Sequence, residues 1–203
     1  MPKSLTEAER GLSKQCPVMR QLIRTHGPCT LLKNKRPHFH SLVSSIISQQ
    51  LSVKAAQTIS NRTKERVGAK KNFKAEHFKG ITVKQLRACG LSNAKARYVL
   101  EIYRHVASGK LPLRSIGRKP DEEIRTLLQK IPGIGPWTVD MFMMFSLNRL
   151  DILPLGDLAI RKGICNAYTL DINSDHEQLR AAVDHLRPWR TIACWYLWRQ
   201  EDQ

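Results

Sequence analysis

A glycine-rich turn within residues 128–138 holds the first residues whose types and spacing suggest chemistry. A helical pattern ends there, Gly133 and Gly135 follow Pro132, and Pro136 stands where a new helix would begin. Glycine permits positive φ and close backbone approach, and the amides at the start of a helix have no intrahelical acceptor. Amides that point outward together bind a phosphate oxygen. The run predicts a phosphate-binding hairpin, with an ordinary corner between helices as the simpler alternative.

A single carboxylate, Asp157, is the second candidate. It follows a Pro-Leu-Gly loop and precedes apolar residues at helical spacing, so it is predicted to cap the N-terminus of a helix. Free amides and the helix dipole favour the ionised carboxylate there. A fixed negative charge stabilises a carbon that becomes cationic, as the sugar carbon does when a base–sugar bond breaks. A capping aspartate needs no catalytic role, and the pattern leaves both interpretations open.

A third candidate is the run Gln49-Gln50-Leu51-Ser52, which lies between two apolar stripes. An exposed leucine at such a corner can act as a wedge between stacked bases, and glutamine side chains can reach acceptors in the minor groove. The same spacing is equally compatible with Leu51 packing into the core.

Charge indicates the class of partner. The 203 residues include 34 Lys and Arg against 17 Asp and Glu, for a net charge of +17 and a pI of about 10.1. The excess lies in the first two-thirds of the chain and forms no low-complexity run. A broad basic face attracts a polyanion, and DNA or RNA is the first candidate.

Composition excludes several other classes. A chain that is 41% apolar and 25% charged is typical of a globular protein, and no stretch reaches 18 apolar residues, so no membrane partner is expected. The start, residues 1–5, lacks the apolar stretch of a secretory signal, so secretion is not expected. Five widely spaced cysteines without a Cys-x-x-Cys pair disfavour a disulfide framework or a zinc site.

Helical periodicity runs through nearly the whole chain and predicts an all-α fold of about ten short helices. One apolar stripe is formed by Phe39, Leu42, Val43, Ile46 and Ile47, and a second begins at Val53. Residues 108–120, rich in glycine, proline and cations, are the best candidate for a linker. The predicted helix starts are Thr82 with Gln85, Ser92, Asp121, Ser174 with Glu177, and Pro188.

These motifs, in this order, resemble the helix-hairpin-helix superfamily of DNA glycosylases. Residues 153–160 resemble the superfamily's loop that ends in its catalytic aspartate. Residues 47–52 and 90–96 are similar to the alkylation-repair branch, the 3-methyladenine DNA glycosylase II family, and the likeness runs from about 38 to 200. It implies two helical lobes, 38–117 with the wedge loop and 1–37 plus 118–203 with the hairpin and catalytic aspartate, and a cleft between them. The amino-terminal sheet domain of longer bacterial relatives has no room here, so the short helical form is expected.

The resemblance also implies a role for each motif. Asp157 is the expected catalytic residue, and the expected substrate pocket consists of Trp137, Trp198 and Met141. Gln49, Gln50, Leu51 and Ser52 are expected at the wedge and minor groove. The expected phosphate-binding residues are Gly133, Ile134, Gly135, Trp137 and Thr138. Backbone carbonyls of Gln129, Ile131 and Ile134 are expected to hold a structural Na⁺ or K⁺.

The activity that follows is excision of alkylated purines, such as 3-methyladenine and 7-methylguanine, from double-stranded DNA in base excision repair. The enzyme flips the base out of the stack and hydrolyses the N-glycosidic bond beside the aspartate. Relatives with strand-cleaving activity carry a lysine nucleophile where this chain has Trp137, so lyase activity is not expected. The superfamily's iron–sulfur cluster needs four closely spaced C-terminal cysteines, and only Cys165 and Cys194 lie there, so no cluster and no catalytic cofactor are expected.

Two other functions remain open at this stage. The first is a non-catalytic hairpin module that only binds the DNA backbone, and the second is a glycosylase for a different base lesion. A monomer is expected, in the cytoplasm at the nucleoid of a bacterium or in the nucleus of a eukaryote.

Overall fold

The apolar stripes seen in the sequence become the buried faces of a set of short helices. A computed structural model describes residues 6–31 and 36–201, and within these ranges all regular secondary structure is helical, which confirms the all-α prediction. Residues 1–5, from which the absence of a secretory signal was predicted, lie outside the described residues. The α-helices of the described ranges are α1 (Glu7–Gln15), α2 (Pro17–His26), α3 (His38–Ser48), α4 (Val53–Val67), α5 (Val83–Ala88), α6 (Asn93–Ala107), α7 (Asp121–Gln129), α8 (Pro136–Phe145), α9 (Leu158–Tyr168), α10 (His176–Val183) and α11 (Arg190–Glu201). None of them is long and apolar enough to cross a membrane.

Contacts divide the chain into two compact units, the number that the resemblance implies, but one boundary between them differs from the expected one. The central unit comprises residues 36–142, and the terminal unit comprises residues 1–35 and 143–203. The first boundary lies beside the expected 37/38 position, but the second lies at 142/143 instead of 117/118. The reason is that Leu111 and Ile116 of the predicted linker are buried core residues and that the hairpin is bonded to Gln49, the residue after α3. The hairpin therefore belongs to the unit that carries the wedge loop.

In the central unit, α3 packs against α4 and α6, and α5 packs against α6. The whole predicted stripe of α3 is buried. Phe39 and Phe73 both pack against Phe78, with ring centroids 5.5 and 5.8 Å apart. This aromatic cluster closes the core beside the helices that carry the wedge loop.

In the terminal unit, α11 packs against α9 and α2. Close approach is possible because Gly163 presents no side chain to α11; a Cβ there would lie 3.2 Å from the Leu197 Cβ. The buried carboxylate of Glu9 in α1 accepts hydrogen bonds from the Cys29 amide at 2.6 Å and from the Tyr196 hydroxyl at 2.7 Å. These bonds tie the first helix to the last.

Two of the five predicted helix starts lie where the capping residues in the sequence place them. The capping box of Thr82 with Gln85 and the Ser92 cap are present as predicted. The other three predicted starts are displaced: Pro120, with its extended backbone, caps α7; the box of α10 is Asp175 with Gln178; and α11 begins at Arg190, after Pro188. Neighbouring Ser, Asp and Glu residues offer equivalent caps one position apart, and tertiary packing selects between them.

Candidate active site

The hairpin is built around one glycine that no other residue can replace. α7 ends at Gln129 and α8 begins at Pro136, and in the turn between them Gly133 has φ +87°. A Cβ on Gly133 would lie 2.2 Å from Cδ2 of Tyr98 in α6, so both backbone conformation and packing require glycine. Gly135 differs, because its φ is not positive and a Cβ would meet nothing within 4 Å. Gly135 faces open space, as a backbone that receives a ligand must.

The amides of the hairpin fall into two classes. Among the described residues, the amides of Gly133, Gly135 and Thr138 have no acceptor, as the phosphate-binding prediction requires. The Ile134 amide donates to the carbonyl of Ile131 at 3.1 Å and closes the turn. The Ile134 amide therefore serves the turn itself, and a role for Ile134 in phosphate binding stays a prediction.

An ion pair that the sequence did not reveal holds the two hairpin helices together. Arg125 of α7 donates through Nη1 to Oδ1 of Asp140 in α8 at 2.6 Å, and Asp140 is only 7% exposed. The available signal was that Asp140 is the one charged residue of helix α8. A buried carboxylate needs a partner, and Arg125 supplies it across the hairpin.

The wedge loop presents its leucine outward. Leu51 is 38% exposed, and Gln50 before it has φ +55°, a left-handed conformation that turns the chain away from α3. Ser52 caps α4, accepting the Ala55 amide at 3.3 Å. Leu51 is thus not a core residue, and the structure decides between the two interpretations of the sequence in favour of an exposed leucine.

Two side chains hold this loop from behind. Lys95 of α6 donates through Nζ to the Ile47 carbonyl at 3.0 Å and to the Gln49 carbonyl. Gln49 in turn donates through Nε2 to the Gly133 carbonyl of the hairpin at 3.0 Å. Burial lowers the pKa of the Lys95 ammonium. Gln49 therefore joins the wedge loop to the hairpin, and its expected place at the minor groove stays a prediction.

A cavity of about 570 Å³ lies beside the wedge loop, within the central unit. Trp137, at the start of α8, is 37% exposed and lines it together with Tyr98 and Gln50. Lys95 also lines this cavity, and sequence reasoning missed it because the carbonyls it binds are remote in sequence. Met141, a turn further along α8, is half-buried and is not part of the lining.

Asp157 caps α9 as predicted, and the terminal unit fixes its side chain further. Its Oδ1 accepts the Ile160 amide and the indole N–H of Trp198, each at 3.1 Å. The Trp198 ring stacks on Phe145, with centroids 5.8 Å apart and planes 24° apart. Asp157 is half-buried, so the carboxylate is held rigidly without being sealed from solvent. Trp198, expected in the substrate pocket, binds the expected catalytic residue.

No site for a metal bound by side chains accompanies these groups. Within the residues that the structure describes, no group of three or more His, Cys, Asp or Glu side chains is arranged to hold a metal ion. All five cysteines are buried and free.

Comparison with known proteins assigns the family. The profile of the HhH-GPD superfamily of base excision DNA repair proteins matches residues 43–188, which include the wedge loop, the hairpin and Asp157. The chain belongs to this superfamily. DNA-3-methyladenine glycosylase 1 of Schizosaccharomyces pombe is 34% identical to this chain, and the alignment covers 97% of this chain and 87% of the relative.

Solved structures agree with this assignment. A DNA-3-methyladenine glycosidase from Bacillus halodurans has a TM-score of 0.84 and 34% identity, covering 97% of this chain and 89% of that one. The 3-methyladenine DNA glycosylase of S. pombe, in complex with abasic DNA, has a TM-score of 0.80 and 32% identity, covering 98% of both chains. The expected helical glycosylase fold and the expected helix-hairpin-helix superfamily are both confirmed.

Proposed function

We propose that this protein is a DNA glycosylase that releases alkylated purines, of the 3-methyladenine and 7-methylguanine type, from double-stranded DNA. The observation that carries the proposal is the Asp157 carboxylate, whose Oδ1 is held by the Ile160 amide and the Trp198 indole. A backbone-binding protein has no need of a rigid carboxylate, because such a group repels phosphate. Relatives named as 3-methyladenine glycosylases over nearly the full chain support the substrate class.

The chemistry follows from charge. As the N-glycosidic bond lengthens, positive charge develops on the deoxyribose, and the ionised Asp157 stabilises that charge and orients the attacking water. An alkylated purine already carries positive charge and leaves readily, so a strong general acid is not required. The hairpin amides of Gly133, Gly135 and Thr138 bind a backbone phosphate and fix the register. Leu51 fills the space that the flipped base leaves.

The proposal includes the absence of lyase activity. A strand-cleaving glycosylase forms a Schiff base through an amine, and the indole of Trp137 is not a nucleophile. Lys95 carries an amine at the same cavity, but its Nζ donates to two carbonyls of the wedge loop. Burial lowers the pKa of this amine, but both hydrogen bonds direct it at the backbone of the wedge loop and away from a sugar carbon.

The hairpin cation is a further part of the proposal. The carbonyl oxygens of Gln129, Ile131 and Ile134 would hold Na⁺ or K⁺, which would add positive charge near the bound phosphate. The Ile131 carbonyl accepts the Ile134 amide at 3.1 Å, and a carbonyl oxygen retains a second lone pair for an ion.

The test is single-turnover release of 3-methyladenine and 7-methylguanine from methylated DNA, measured by mass spectrometry. Asp157→Asn keeps the helix cap and is expected to lower the rate constant roughly 10²- to 10³-fold. Asp175→Asn is the matched control, since Asp175 caps α10 in the same manner, and it is expected to leave the rate unchanged. Equal rates for wild type and Asp157→Asn would show that Asp157 is not catalytic.

The same reactions separate the alternatives. DNA binding without base release by the wild type would indicate the non-catalytic module. Borohydride trapping of a covalent protein–DNA adduct would contradict the proposed absence of lyase activity, and loss of the adduct in Lys95→Met would identify the amine.

A further inference from the structure

A second concave surface lies along α3, beside the start of the wedge loop. It is a groove of about 360 Å³ between α3 and α4, and none of the functions assigned above uses it. Residues His40, Ser44 and Ser48 follow one another at helical spacing along its α3 side. Gln57, Ser60 and Lys64 form its α4 side.

The groove carries positive charge and hydrogen-bond donors. Lys64 and Arg36 line it, and none of its lining residues is acidic. The Lys64 ammonium lies 5.9 Å from the centroid of the Phe73 ring, a cation–π contact. A cationic surface with several hydroxyl donors fits the non-bridging oxygens of a phosphodiester backbone and reads no base sequence.

His40 adds an oriented donor. Its Nδ1 accepts the Phe73 amide at 3.3 Å, so the neutral ring carries its proton on Nε2. Burial, together with the charges of Lys64 and Arg36, lowers the pKa of His40. The ring is thus a neutral N–H donor in a site whose cations come from Lys64 and Arg36.

The position of the groove determines which strand it meets. Ser48 and Val53 line it, and these two residues flank the wedge loop Gln49–Ser52. The loop is also bonded to the hairpin, through Gln49 and Gly133. A wedge that enters between base pairs has one backbone on each side, and the hairpin takes the backbone on one of them.

From this juxtaposition we propose that the groove between α3 and α4 binds the sugar–phosphate backbone of the strand opposite the lesion. The inference rests on the proposed function, since it takes Leu51 as the wedge and DNA as the partner. The protein would then hold both strands from a single unit, with the wedge loop between the two grips.

The first test measures binding to a duplex with a tetrahydrofuran abasic-site analogue, which needs no base release. Lys64→Gln is expected to bind roughly 3- to 10-fold more weakly at moderate salt and to lower the slope of log K against log salt by about one. Lys64→Arg keeps the charge and is expected to bind as the wild type does. Lys84→Gln makes the same charge change on α5, outside the groove, and its loss is expected to be smaller.

The second test identifies the strand through neutral methylphosphonate linkages, placed singly along each strand. If the groove binds the opposite strand, one linkage there abolishes the difference between wild type and Lys64→Gln, while linkages in the lesion strand leave it intact. Coupling to the lesion strand alone, or equal losses in Lys64→Gln and Lys84→Gln, would overturn the inference. A wild type that binds the duplex but releases no base would contradict the proposed function. The binding test of the groove would still be valid, because it needs no base release.

Discussion

At the scale of single residues, Trp198 was expected to line the substrate pocket, but its indole N–H donates to Asp157. Trp198→Phe would keep the aromatic stack on Phe145 and remove the N–H that holds Asp157 Oδ1. A less firmly held carboxylate stabilises the developing charge less well, so we expect the single-turnover release rate to fall about tenfold, or ~1.4 kcal/mol of transition-state stabilisation. Binding to abasic duplex should not change.

A matched control lies on the same helix. Trp195 packs edge-on against Tyr196 and contacts Arg199, and no bond to Asp157 is found for it, so Trp195→Phe tests loss of an indole without loss of that bond. If both variants slow release equally, the effect is one of packing, and Trp198 does not act through Asp157.

At the scale of elements, Lys95 positions the wedge loop. Lys95→Met would remove the bonds to the Ile47 and Gln49 carbonyls and release the loop from α6. Because a small misplacement of a positioning group lowers rates strongly, we expect release to slow roughly 10- to 100-fold, with affinity for undamaged duplex nearly unchanged. A 2-aminopurine beside the target base should report less unstacking, and Lys95→Arg should restore part of it.

Lys84→Met provides the comparison for this element, since Lys84 is exposed in α5 and does not line the cavity. If Lys95→Met shows wild-type unstacking and a normal release rate, Lys95 does not position the wedge loop.

The elements also show what the sequence can predict. The stripe of α3, the Thr82 and Ser92 caps, the Asp157 cap and the Gly133 turn depend on neighbours within a few residues, and each was predictable. Lys95, Gln49 and the Arg125–Asp140 pair act across 15 to 84 residues, and no periodicity encodes such partners. The second unit boundary was missed for the same reason, since Leu111 and Ile116 are buried by contacts that composition does not reveal.

At the scale of the whole molecule, stability should depend on pH through Glu9. Burial alone would raise the pKa of this carboxyl, but hydrogen bonds from the amides of Cys29 and Thr6 and from the Tyr196 hydroxyl together lower it below the usual value. A lowered folded-state pKa means that Glu9 contributes stability above the unfolded-state pKa, near pH 4.5, and that this contribution is lost as the pH falls through the folded-state pKa.

Glu9→Gln tests this contribution, because the amide nitrogen of glutamine would face an N–H or O–H donor where the carboxylate accepts. Loss of buried hydrogen bonds to a charged group predicts a decrease of about 1–3 kcal/mol in the free energy of unfolding at pH 7, measured by urea denaturation. The difference from wild type should shrink as the pH is lowered below 4.5, where the wild-type carboxylate takes up its proton. Glu7→Gln, an exposed change in the same helix, should show no such pH dependence. If the loss of unfolding free energy in Glu9→Gln stays constant from pH 7 to acid, the charge of the carboxylate does not stabilise the junction of α1 with α11.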